Sequence, residues 1–138
     1  MDNIKKILFV DDEPLSVFGV MNFLHDAGYD TYHVSNGKKA WKILNKNPNA
    51  FKVIIIDHCM PAIDGVSLLD MIKKSTHLNN IPVIIESDDN EDVGGYIRAL
   101  EAGAFDYLYK PVEKNFLLYV VDNAVNDANN LEMQEANW

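Results

Sequence analysis

Five short apolar runs, at residues 7–10, 31–34, 53–56, 83–85 and 107–109, are separated by stretches whose apolar residues recur every three or four positions. That alternation constrains the chain more than any other feature. The first, third and fourth runs are continuously apolar, as strands covered on both faces must be. The run 31–34 (Thr-Tyr-His-Val) is the least apolar and reads as an edge strand. Between the runs, Val17, Val20, Met21 and Leu24 follow Pro14 at helical spacing, and Ala40, Ile43 and Leu44 follow Gly37. Val66, Leu68, Leu69 and Ile72 mark a third helix and Ile97 with Leu100 a fourth. Leu117, Val120, Val121, Ala124 and Val125 mark a fifth. Gly28 and Gly103 stand where helices should stop. Strand and helix alternating five times predict an α/β fold, a doubly wound five-stranded parallel sheet with five helices.

Composition removes several classes of function. With 138 residues the chain has room for one core, and 48% apolar residues suffice to fill it. No apolar run reaches the roughly 18–20 residues of a membrane helix, and the stretch after Lys5 and Lys6 is too short for a signal peptide of about 7–15 apolar residues. A net charge of −9 argues against direct nucleic-acid binding, which needs clustered Lys and Arg. The one cysteine, Cys59, allows no internal disulfide and fits a reducing cytoplasm.

In a parallel sheet, function gathers where strands end. Asp11, Asp12 and Glu13 follow the first run, and Asp57 the third. Glu86, Ser87, Asp88 and Asp89 follow the fourth, and Lys110-Pro111 the fifth. Carboxylates crowded together repel one another, and a hard cation such as Mg²⁺ relieves this with few protein ligands. A lysine and a hydroxyl nearby suit phosphoryl oxygens. Together these groups point to an aspartyl phosphate, with a carboxylate as nucleophile.

These residues carry a resemblance. Val10-Asp11-Asp12-Glu13-Pro14, Asp57 with Met60-Pro61 and Asp64-Gly65, Pro82-Val83-Ile84 leading to Ser87, and the segment from Gly103 to Lys110-Pro111 resemble the response-regulator receiver domain of two-component signalling. The likeness covers about residues 4–125. It implies a flavodoxin-like (βα)5 fold, a receiver over residues 1–125, and a C-terminal helix extension or linker over 126–138, with no output domain in this chain. It implies that Asp57 is the phosphoacceptor and Asp12 a direct Mg²⁺ ligand, with Asp11 acting through water and Cys59 through its backbone carbonyl. Lys110 would pair with the phosphoryl group, its bond to Pro111 being cis. Ser87 and Tyr107 resemble the switch pair that alters the face built by the fourth helix, the fifth strand and the fifth helix. A sensor histidine kinase or phosphotransfer protein would act upstream, and an unknown effector or a missing output domain downstream. A phosphorylation-dependent homodimer is a family behaviour. Such a domain promotes only its own phosphorylation and dephosphorylation and does not turn over as an enzyme.

The sequence departs from the family around Ser87. Glu86 stands where an apolar residue is usual and Asp88 where a small one is; both carboxylates are expected to turn to solvent. Cys59 and Asp89 match positions that flank the attacking water. Asp88 or Asp89 is expected to cap the fourth helix, which either includes Gly94-Gly95 or begins at Tyr96. His25, His33, His58 and His77 lack metal-ligand spacing and read as structural or surface; strand alternation turns His58 away from the nucleophile. Trp41 is expected to pack on its helix. The spacing of Val121, Ala124, Ala128 and Leu131 carries the fifth helix beyond the compact fold. A pseudo-receiver that binds without phosphorylation is the alternative. A haloacid-dehalogenase-like phosphatase fits less well, because it needs a second Asp where Cys59 stands.

Overall fold

The computed structural model describes residues 6–136, with 130–136 described by backbone alone. Strands β1 (Lys6–Val10), β2 (Asp30–Val34), β3 (Val53–Asp57), β4 (Val83–Ser87) and β5 (Asp106–Tyr109) alternate with helices α1 (Pro14–Asp26), α2 (Gly37–Lys46), α3 (Gly65–Lys73), α4 (Val93–Glu101) and α5 (Lys114–Ala136). All pairings are parallel and the order is β2-β1-β3-β4-β5, so the least apolar strand does lie at an edge. Both β3 and β4 run past their apolar runs, to Asp57 and Ser87. No described helix is long and apolar enough to cross a membrane.

Strand alternation divides the core into two layers. Leu8, Val10, Ile54, Ile56, Val83, Ile85 and Tyr107 pack with Ala40 and Leu44 of α2, Leu68, Leu69 and Ile72 of α3, and Ala99 of α4. On the other face, Ile7, Phe9, Val53, Ile55, Ile84 and Leu108 pack with Val20 and Leu24 of α1 and with Leu117, Val120, Val121, Ala124 and Val125 of α5. Trp41 packs at the rim of the first layer.

Local chemistry fixes the ends of the elements. Pro14 occupies the first turn of α1, where a missing N–H costs nothing. Asn36 and Asp64 accept hydrogen bonds from the Lys39 and Ser67 amides and cap α2 and α3. Gly28 and Gly103 take φ of +90° and +105°, the left-handed turns expected of them.

At α4 the structure corrects one expectation. Its cap is Asp92, which accepts from the Gly95 amide at 2.8 Å, rather than Asp88 or Asp89. Gly94 and Gly95 therefore form the first turn, where the cap offsets the weak helix propensity of glycine. Ile97 and Leu100 are 47% and 41% exposed, while Gly95 and Ala99 face inward. The helix rests on the sheet through its small residues and keeps its apolar ones outside.

The fifth helix continues unbroken past residue 125 to Ala136, with Ala128 still buried; Leu131 lies outside the described side chains. Ile55→Ala, which empties a fully buried position between β1 and β4, should lower unfolding free energy by about 2–5 kcal/mol in denaturant titration. Ile97→Ser on the exposed face of α4 should stay within about 0.5 kcal/mol of wild type.

Candidate functional site

The site grows out of the layer that faces α1 and α5. Phe9, Ile55, Ile84 and Leu108 belong to that layer, and two residues further along their strands stand Asp11, Asp57, Glu86 and Lys110. Period-two alternation thus brings four charged groups to the same side at the carboxyl edge. Asp57 and Glu86 are direct register partners on β3 and β4.

Lys110 is the centre of the cluster. Its Nζ lies 3.2 Å from Asp11 Oδ2, 3.4 Å from Asp57 Oδ2 and 3.8 Å from Glu13 Oε2. Burial alone would push the ammonium down. The charges of Glu86, Asp11 and Asp57 outweigh it and hold Lys110 above the usual lysine range. Burial, and then the charge of Asp11, raise Asp57 to about 6. Asp11 ends below its ordinary value: burial pushes it up, but hydrogen bonds from Glu86 and the Glu13 amide, with Lys110, pull it down further.

Asp11, Asp12 and Asp57 each offer a carboxylate oxygen within 4.8 Å of the others. Asp12 is exposed and Asp11 and Asp57 are buried. Three hard oxygen donors around one spot, open to water on one side, fit a divalent cation that keeps several waters. The surrounding loops are braced. His33 Nε2 lies 2.7 Å from the Asp11 carbonyl oxygen, and the Asp11 amide donates to Val34 O. The Cys59 amide donates to Asp57 Oδ1 at 3.3 Å, while burial and the Asp57 charge push its thiol up. A Cβ at Gly65 would run into the Asp57 carbonyl, so only glycine lets α3 start this close to the end of β3. The Lys110–Pro111 peptide is cis.

The other layer carries different groups. Ser87 is 2% exposed and its Oγ accepts from the Asp89 amide. Tyr107 is 4% exposed and packs edge-on against Tyr96 and His58.

This geometry agrees with the comparisons to known proteins. The response regulator receiver domain family matches residues 7–122. The chain belongs to that family. The receiver is 37% identical over 106 residues to the two-component response regulator ORR3 of Oryza sativa subsp. indica, covering 77% of this chain and 79% of that one. It is 34% identical over 112 residues to the response regulator-like PRR37 of the same subspecies, 81% of this chain but 15% of the relative's length. Among solved structures, a receiver domain protein from Clostridium thermocellum superposes with a TM-score of 0.85 at 33% identity, over 93% of this chain and 99% of that one. The chemotaxis protein CheY4 of Vibrio cholerae gives 0.79 at 25% identity, over 88% and 98%.

The receiver's structure brings Asp11, Asp12, Asp57 and Lys110 together, and sets Ser87 and Tyr107 in the neighbouring layer. It overturns the expectation for Glu86, which is fully buried instead of turned to solvent; Asp88 is exposed. The reason is that β4 continues to Ser87, so Glu86 is a sheet residue paired with Asp57 and not a loop residue. Among the described residues, no donor reaches either Glu86 oxygen with hydrogen-bond geometry. Burial, then the hydrogen bond to Asp11 and its charge, push this carboxyl well above the usual glutamate range. The alternation of Ile84, Glu86 and the register were the available signals. The second residue underestimated is His58. It does turn away from Asp57, and it meets Tyr107.

Asp57 and Glu86 hold their protons more tightly folded than unfolded, so the stability they contribute is present at low pH and lost as pH rises. For Asp57 the window runs from 3.8 to about 6. Without divalent cation, the melting temperature should fall across that window, and Asp57→Asn should flatten the slope. Glu86→Leu, which removes a buried acid, should raise the melting temperature at pH 7.

Proposed function

We propose that this receiver accepts a phosphoryl group on Asp57 from the phosphohistidine of a sensor histidine kinase or phosphotransfer protein, and that the modified site switches the α4–β5–α5 face. The observation that carries the reading is the placement of one nearly buried ammonium, Lys110, against both Asp57 and Asp11 at the carboxyl edge of the sheet. Raised only to about 6, Asp57 is ionised at neutral pH and able to attack. Its carboxylate oxygen bonds to phosphorus, the phosphorus–nitrogen bond breaks, and the electron pair leaves with the imidazole. Lys110 moves its charge from Asp57 to a phosphoryl oxygen, and the Ser87 hydroxyl donates to another. Asp12 and Asp57, with Asp11 through water and the Cys59 backbone carbonyl, would hold Mg²⁺, which neutralises charge developing on the transferred group.

Ser87 and Tyr107 are the switch pair in this reading, responding to roughly −1.5 to −2 units of new charge beside them. The domain acts as a regulatory phosphoacceptor in the cytoplasm and promotes only its own modification. Residues 1–125 form the receiver and 126–138 a helical extension or linker. Downstream stands an effector or an output domain beyond this chain, and pairing of two phosphorylated copies is one way to reach it. The buried Glu86 favours a second reading, a pseudo-receiver that binds without phosphorylation, since it adds an acid beside the phosphoryl position.

Intact mass after incubation with a small acyl-phosphate donor separates the two. A Mg²⁺-dependent gain of one phosphoryl group, absent in Asp57→Ala, is expected. Lys110→Ala should slow the gain by about 10²-fold or more, the usual effect of losing one charge-stabilising donor. No gain in folded wild type, with a donor active on a control receiver, would favour the pseudo-receiver.

A further inference from the structure

Edge strand β2 supplies none of the groups gathered around Lys110, yet it grips the backbone of Asp11 on both sides. Strands β1 and β2 pair as far as Val10 with Val34, and the Asp11 amide extends the ladder by donating to Val34 O at 3.2 Å. The residue before Val34 reaches the same turn with its side chain. His33 Nε2 lies 2.7 Å from the Asp11 carbonyl oxygen. A carbonyl oxygen can only accept, so the ring carries its proton on Nε2. The imidazole is seated against Phe9, its register partner on β1, with 6.2 Å between ring centroids. Two consecutive residues of β2 therefore bind the amide and the carbonyl of one residue of the β1–α1 turn.

That carbonyl belongs to the peptide unit joining Asp11 to Asp12. A peptide unit is planar, so fixing its oxygen fixes the plane and the direction in which the chain continues to Asp12. The Asp11 and Asp57 carboxylates have braces of their own in Lys110 and in the Glu13 and Cys59 amides. Asp12 is exposed, and the course of the backbone is what brings its oxygen within 4.8 Å of theirs.

We infer that His33 is a positioning residue for divalent-cation binding, holding the Asp12 carboxylate beside Asp57 through the Asp11–Asp12 peptide. This rests on the cation site of the receiver reading and adds to it a residue from a strand that carries no ligand. His33 acts through the backbone alone. When its hydrogen bond is lost, the peptide plane is free to turn, Asp12 spreads over other directions, and cation affinity falls while the fold persists.

The test is calorimetric titration of the full chain with Mg²⁺, for wild type, His33→Leu and His33→Gln, each melted first in chelator to show that it folds. Leucine keeps an apolar contact with Phe9 but cannot donate; glutamine places an amide N–H near the Nε2 position. His33→Leu should bind Mg²⁺ about two- to twelve-fold more weakly than wild type. That range is one hydrogen bond of about 0.5–1.5 kcal/mol converted at about 1.4 kcal/mol per decade. His33→Gln should recover most of the loss, whereas a residue acting only by packing on Phe9 would favour leucine over glutamine. Wild-type affinity in His33→Leu, or a glutamine variant no better than leucine, would overturn the inference and leave the receiver reading standing. A wild type that binds no Mg²⁺ would remove the cation from that reading and the role of His33 with it. Should the variants fail to fold, long-range ¹H–¹⁵N NMR of the wild type decides. An uncharged His33 ring protonated on Nε2 is expected, and one protonated on Nδ1 would overturn the hydrogen bond on which the inference stands.

Discussion

One ammonium group organises the end of this sheet. Lys110 comes from the edge strand β5, yet its charge reaches Asp57 on the central β3 and Asp11 beyond β1. Glu86 lies on the strand between, fully buried and paired in register with Asp57. Without that positive charge, buried carboxyls would face one another across three strands, an arrangement that a low-dielectric setting does not tolerate. The His33 brace and the glycine at the start of α3 hold the surrounding loops close to these groups.

Much of this could be read in the sequence, for a physical reason. In a doubly wound sheet the carboxyl ends of strands converge, so Asp11, Asp57 and Lys110 were bound to meet once their runs were recognised as strands. Asp12, Ser87 and Tyr107 followed from their offsets to those residues. Glu86 was misplaced because its fate depends on where β4 stops. Two more strand residues carry it from loop to interior, and no propensity in Glu-Ser-Asp-Asp announces them. His58 could be assigned a direction from alternation but not a partner. Tyr107 is 49 residues away, and only the sheet order with the seating of α4 brings the two rings together. In α4 the apolar spacing was real and pointed outward, which periodicity alone cannot tell from inward.

The two faces of the strands divide the work. The column facing α1 and α5 carries Asp11, Asp57, Glu86 and Lys110; the column facing α3 and α4 carries His58, Ser87 and Tyr107. Adjacent residues along one strand, Asp57 with His58 and Glu86 with Ser87, thereby serve different layers. The two layers are joined at these points by a single peptide unit and by the parallel pairing of β3 with β4.

The way α4 sits has a consequence for the dynamics of the domain. Its inward side consists of Gly95 and Ala99, so it buries little apolar area, while Ile97 and Leu100 stay largely exposed. A helix anchored by so small a hydrophobic footprint opens at a free-energy cost well below that of global unfolding. The backbone amides of α4 therefore belong to the fast-exchanging part of the molecule, whereas those of β3, all of whose residues are buried, exchange only when the whole fold opens.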